Sequence, residues 1–132
     1  MKRYAGAVVV AVTIAMVGIT SAQTRSSEGQ KYPDVVDVKV KTRNGNRFDF
    51  DVTLSSPYDT PQRYADAIRV MSVAGTPYAE RVLLHDHADE QPFTRDLQGV
   101  SIPPGVRAVV VQGRDQKFGY GGRTMRVGLP GR

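Results

Sequence analysis

The chain has 132 residues, two histidines, no cysteine, no tryptophan and a formal net charge of +5. That length holds one domain with one core, and without cysteine the core must stand with no disulfide. The positive charges are interleaved with acids and form no basic stripe broken by aromatics, which argues against a nucleic-acid partner.

Residues 1–22, MKRYAGAVVVAVTIAMVGITSA, have the three parts of a secretory signal peptide: Lys2 and Arg3, an uncharged apolar run from Ala5 to Ile19, and the small residues Thr20 and Ala22. Cleavage is expected after Ala22. The apolar run is shorter than the roughly 20 residues of a membrane-spanning helix, and no cysteine follows it for lipidation. The expected product is therefore periplasmic or secreted, with no stable membrane anchor. It has 110 residues, with 16 Lys and Arg against 13 Asp and Glu, a formal charge of +3. Residues 23–33, QTRSSEGQKYP, are polar, lack periodicity and end in proline, so they read as a flexible leader to a domain over 34–132.

Beyond the leader, VVDVKVKTRNGNRFDFDVTL alternates at period two. Val36, Val38 and Val40 share one face, as do Phe48, Phe50, Val52 and Leu54. A two-residue Asn44-Gly45 turn would mix the faces of this hairpin. A three-residue loop, Arg43-Asn44-Gly45, pairs Val40 with Phe48 and Val38 with Phe50 and keeps them apart. RYADAIRVMS and YAERVLLH read as the third and fourth strands, and FTRDLQGVSI as a fifth weakened by Gly99. VRAVVVQGR, the most apolar, is expected to be central. The Gly-rich DQKFGYGGR reads as a loop leading to TMRVGLP. Val109 and Val111 should pack against Val38, Phe48 and Phe50.

Seven short strands, regular turn signals and no amphipathic helical stretch predict an all-β antiparallel β-sandwich. The stretch IPPGVRAVVVQGRDQKFGYGGRTMRVGLP resembles the last two strands of fibronectin type III and related immunoglobulin-like domains, although the chain lacks the tryptophan such domains bury on an early strand. A narrower resemblance rests on HDHADEQPFTRDLQGVSIP, an HxHxxEQPFTR segment, with RYADAIRV before it and YGG after it. These residues are similar to a set of small exported bacterial proteins of uncharacterised activity, and the resemblance implies no reaction.

The segment LLHDHADEQPFTRDL holds both histidines. In an extended backbone His85 and His87 leave the same side of the chain, with Asp89 and Glu90 following on a turn that could fold back. Imidazoles with carboxylates suit Cu(II) or Zn(II), a cofactor available outside the cytoplasm. The same groups equally make a hydrogen-bonded polar corner, or a pair that senses pH. In the corner reading Phe93 re-enters the core and Glu90 pairs with Arg95. No serine elbow or cysteine nucleophile is present, and Thr94 and Ser101 read as strand residues, so no enzyme is expected. A second candidate surface is KFGYGGR, where Phe118 and Tyr120 alternate with glycines between Lys117 and Arg123 and either suit a protein, peptide or glycan partner or form a tight hairpin whose rings cover the end of the sandwich. The expected role is a binding or structural module, with a divalent-metal-binding protein as the alternative.

Overall fold

The computed structural model describes residues 29–132. The expected signal peptide and residues 23–28 of the leader lie outside the described residues. Seven strands follow in order: β1 (Asp34–Arg43), β2 (Arg47–Ser55), β3 (Ala65–Ser72), β4 (Pro77–Val82), β5 (Phe93–Ser101), β6 (Ala108–Asp115) and β7 (Gly119–Gly128). They form two antiparallel sheets, ordered β1-β2-β5 and β4-β3-β6-β7, which face one another as a β-sandwich.

Alternation places the core where the sequence predicts it. Phe48, Phe50, Val52 and Leu54 of β2 are buried, and so are Ile68, Val70, Val109 and Val111 from the opposite sheet. Val38 joins the same apolar cluster. Phe50 and Phe93 are the largest fully buried side chains and fill a core that has no tryptophan. A fully buried side chain of this kind contributes about 1.5–3 kcal/mol. The strand β6 is internal to its sheet, as its composition implies.

The structure departs from the sequence reading in four places within the strands and their connections, and in a fifth at the leader. The β1–β2 loop has three residues, but they are Asn44, Gly45 and Asn46, so Val40 faces Phe50 and Val38 faces Val52. Moving the loop by one residue shifts the pairing by two and keeps every apolar side chain on its own face. Both Gly45 and Asn46 have positive φ, a conformation that Asn tolerates better than most residues. The shifted loop is fastened from outside, because the Asn46 carbonyl accepts Ile102 N–H at 3.0 Å and its side-chain oxygen accepts Arg132 at 3.1 Å.

Val36 is the second departure. A bulge between Val35 and Asp37 turns it outward, and Val35 takes the buried place opposite Leu54. Thirdly, β4 ends at Val82, so Leu83 to His85 belong to the connection that follows. Fourthly, the Gly-rich stretch is no loop. A turn at 116–118 returns directly into β7, which includes Gly119 to Arg123.

The glycines there serve the N-terminal segment. Pro33 is fully buried, and a β-carbon on Gly113 would come within 2.6 Å of its ring. One on Gly121 would strike the Tyr32 ring at 2.4 Å, and one on Gly122 the Pro33 carbonyl oxygen at 2.3 Å. Arg63 donates to the carbonyls of Gln30 and Lys31 at 3.2 and 2.7 Å, and the Gln30 amide donates to Ser55 O at 3.1 Å. Residues 30–33 of the expected leader are thus a seated part of the domain.

Candidate functional site

At one end of the sandwich the connection from β4 to β5, residues 83–92, crosses between the sheets over a buried carboxylate. Asp59 lies in the β2–β3 connection and is 4% exposed. Its Oδ1 accepts Ala65 N–H at 3.0 Å, and its Oδ2 accepts His87 N–H at 3.1 Å and stands 3.4 Å from His87 Nδ1. The His87 ring is buried and stacked on Phe93, with centroids 3.7 Å apart and an interplanar angle of 4°. Gln91 closes the corner: its Oε1 accepts Ser56 N–H at 2.8 Å while its amide donates to His87 O at 3.0 Å. Burial holds the His87 pKa below the ordinary histidine value, and Arg95 pushes the same way against the raising effect of Asp59.

Of the other expected metal ligands, His85 lies beside His87, whereas Asp89 and Glu90 are exposed. His85 is exposed, with its ring centroid 5.3 Å from that of His87 and its Nδ1 2.9 Å from the Asp86 carbonyl oxygen. Glu90 is exposed, and Arg95 donates to both its oxygens at 3.1 and 3.4 Å and lowers its pKa. Asp89 stands exposed in the intervening turn. Among the described residues, no three His, Cys, Asp or Glu side chains are grouped as a ligand set. A cavity of about 190 Å³ beside the histidines is lined by Arg81 and Arg95 as well. Phe93 lies in the core and Glu90 pairs with Arg95.

A second buried carboxylate organises the turn between β6 and β7. Asp115 is fully buried. It accepts Tyr58 O–H at 2.7 Å, Arg63 Nε at 3.2 Å, and the backbone N–H groups of Lys117 and Phe118, each at 2.9 Å. Burial alone would raise its pKa, but these donors outweigh burial and lower it. Burial and the hydrogen bond to Asp115 push the Tyr58 hydroxyl pKa upward.

The three residues expected to form one binding loop are separated. Phe118 projects from the turn, 41% exposed. Tyr120 lies on the outer face of the four-stranded sheet, under Arg69 at 3.8 Å and hydrogen-bonded to Glu80. Arg123 is exposed on β7, and its N–H donates to Asp34 Oδ1 at 2.8 Å, which ties β7 to β1.

A larger concavity lies along the other flank. A groove of about 820 Å³ runs between β4 and β5, lined by Tyr78 to Val82 on one wall and Asp96 to Ser101 on the other. Each of these strands is terminal in its sheet. An ion pair spans the groove, from Arg81 to the side chain and carbonyl of Asp96.

Comparison with known proteins adds a relative. The chain is 40% identical over 106 residues to a protein of Halomicrobium mukohataei described as "Putative lipoprotein"; the match covers 80% of this chain and 52% of the relative. The chain thus spans about half the length of that relative. No family model and no solved structure matches it.

Asp59, Asp115 and the groove are not singled out by reading the sequence. Asp115 had a local signal, since an aspartate just before a turn commonly accepts the N–H groups that follow. The groove had none, because it arises from which strands end the two sheets.

Proposed function

We propose that the protein is an exported, non-catalytic binding module that takes an extended peptide along the groove between β4 and β5. The observation that carries this reading is the placement of one terminal strand of each sheet on the two walls of a single groove. Such edges present backbone donors and acceptors that another extended chain can pair with. Export is supported by the signal-like residues 1–22 and by the description of the relative. With no cysteine after the signal-like run to carry a lipid, a periplasmic or released form is favoured over a thiol-lipidated one. The strand order supports an immunoglobulin-like or fibronectin III-like sandwich, in which β4 extends the sheet that holds β3, β6 and β7.

The test is selection of random ten-residue peptides on the protein beginning at Gln23. Enriched sequences should bind the parent and Thr124→Glu, on the far flank, and lose binding to Arg81→Glu, which reverses a charge spanning the groove. Enrichment no greater than on bare support, or binding retained by Arg81→Glu, would refute the reading.

A further inference from the structure

The end of the sandwich where the N-terminal segment joins the fold gathers positive charge around one exposed ring. Lys31 Nζ lies 5.5 Å from the Phe118 centroid, Lys117 Nζ 5.4 Å and the Arg63 guanidinium carbon 4.8 Å. Asp115 and Arg63 fix this arrangement from beneath. The carboxylate holds the backbone of Lys117 and Phe118, while Arg63, itself paired to Asp115, holds the carbonyls of Gln30 and Lys31. Tyr32 meets Phe118 edge to face at 6.3 Å. Three cations thus converge beside one buried carboxylate, and both lysines and the ring are exposed. Like charges held so close leave an excess positive field that an external anion would relieve.

The place of this cluster in the chain selects the anion. Lys31 enters the fold a short way downstream of the apolar run Ala5–Ile19, so until the signal-like segment is removed an exported chain holds this end beside the membrane it has just crossed. We infer that the Lys31, Arg63, Lys117 and Phe118 cluster is a peripheral docking face for anionic lipid headgroups, with the ring entering the interface and the cations pairing with phosphates. Basic residues near an anionic surface and an inserted apolar side chain add to one another in this way. The inference rests on export and is independent of the peptide groove.

The experiment uses the protein beginning at Gln23, which keeps every core residue from Val35 to Leu129. It is sedimented with phosphatidylcholine vesicles, pure or containing phosphatidylglycerol. Binding is expected to the anionic vesicles alone and to weaken with salt. Lys31→Ala with Lys117→Ala should lower the partition coefficient about 25-fold, at roughly five-fold per lysine, and Phe118→Ala should lower it several-fold, with melting temperatures confirming that each variant is folded. Lys39→Ala with Lys41→Ala, an equal charge change on β1, should leave it within the smaller loss that net charge brings. Equal binding to neutral vesicles, no binding to either, or an equal loss in the β1 variant overturns the inference. Displacement by millimolar inorganic phosphate at constant ionic strength would also overturn it, by assigning the cluster to a soluble anion.

Discussion

The two flanks of the sandwich are built on opposite plans. Between β1 and β7 the seam closes because side chains are missing: Gly113, Gly121 and Gly122 let Tyr32 and Pro33 lie directly on the sheet, and Arg123 N–H reaches Asp34. Between β4 and β5 long charged side chains stand across a groove, and Arg81 with Asp96 bridges it. At one end the open flank is crossed by residues 83–92, held down through Asp59 and His87. A seam closed by backbone contact is costly to disturb, whereas one spanned by an exposed ion pair is not, which leaves room there for a ligand.

Five measurements break or sharpen that contrast. Phe50→Ala removes a fully buried ring shared by both flanks and should cost about 3–5 kcal/mol in denaturant unfolding; a variant as stable as the parent would mean that the sheets are not packed as described. Asp59→Ala leaves the N–H groups of Ala65 and His87 without their acceptor, and at about 1–3 kcal/mol for a buried donor left unpaired should cost roughly 3 kcal/mol and speed amide exchange along 83–92. Asp59→Asn, which retains one acceptor oxygen, should cost less.

On the closed flank, Gly122→Ala puts a β-carbon against the Pro33 carbonyl at a residue whose φ is +74°. Backbone strain of this kind is worth about 1–3 kcal/mol, and cleavage by trypsin after Lys31 should become faster. No change in either would show that the N-terminal segment does not seal the seam.

The corner should also respond to acid. His87 titrates below the ordinary histidine value in the folded chain because it is buried, so the unfolded chain takes up its proton first. Its contribution is complete above about pH 6.5 and is lost as pH falls through the lowered folded-state value. The melting temperature should therefore drop with acidification over that range, and His87→Gln should flatten that part of the profile. The smallest effect belongs to Arg81→Ala on the open flank. Its ion pair is more than a third exposed on both sides, so about 0–1 kcal/mol is expected, and a larger loss would mean that this flank too is structurally closed.

Much of this architecture was legible because it is written in period two. Phe48, Phe50, Val52 and Leu54 announce a buried face, and Val109 and Val111 a central strand, whatever lies across from them. Position along the chain was less legible where parity does not decide it: both loop placements of the first hairpin keep the same faces, and Asn46 wins through Ile102 and Arg132, distant in sequence. The Gly-rich stretch misled for a related reason. Its glycines answer to Tyr32 and Pro33, far upstream, and local composition reads them as a loop. At the histidines the residue types admitted a metal site or a corner alike. Asp59, which holds His87 from 28 positions away, was not legible, because no spacing rule points to it.

The chain lays β1 and β2 in one sheet, β3 and β4 in the other, returns for β5, and crosses again for β6 and β7. The pairings β2 with β5 and β3 with β6 therefore interleave, and neither sheet is complete until the other is nearly so. Hairpins can form early and locally, but each interleaved pairing must first close a long loop. Folding should accordingly be limited by a late, non-local step, and unfolding should be a single transition in which the two sheets are lost together.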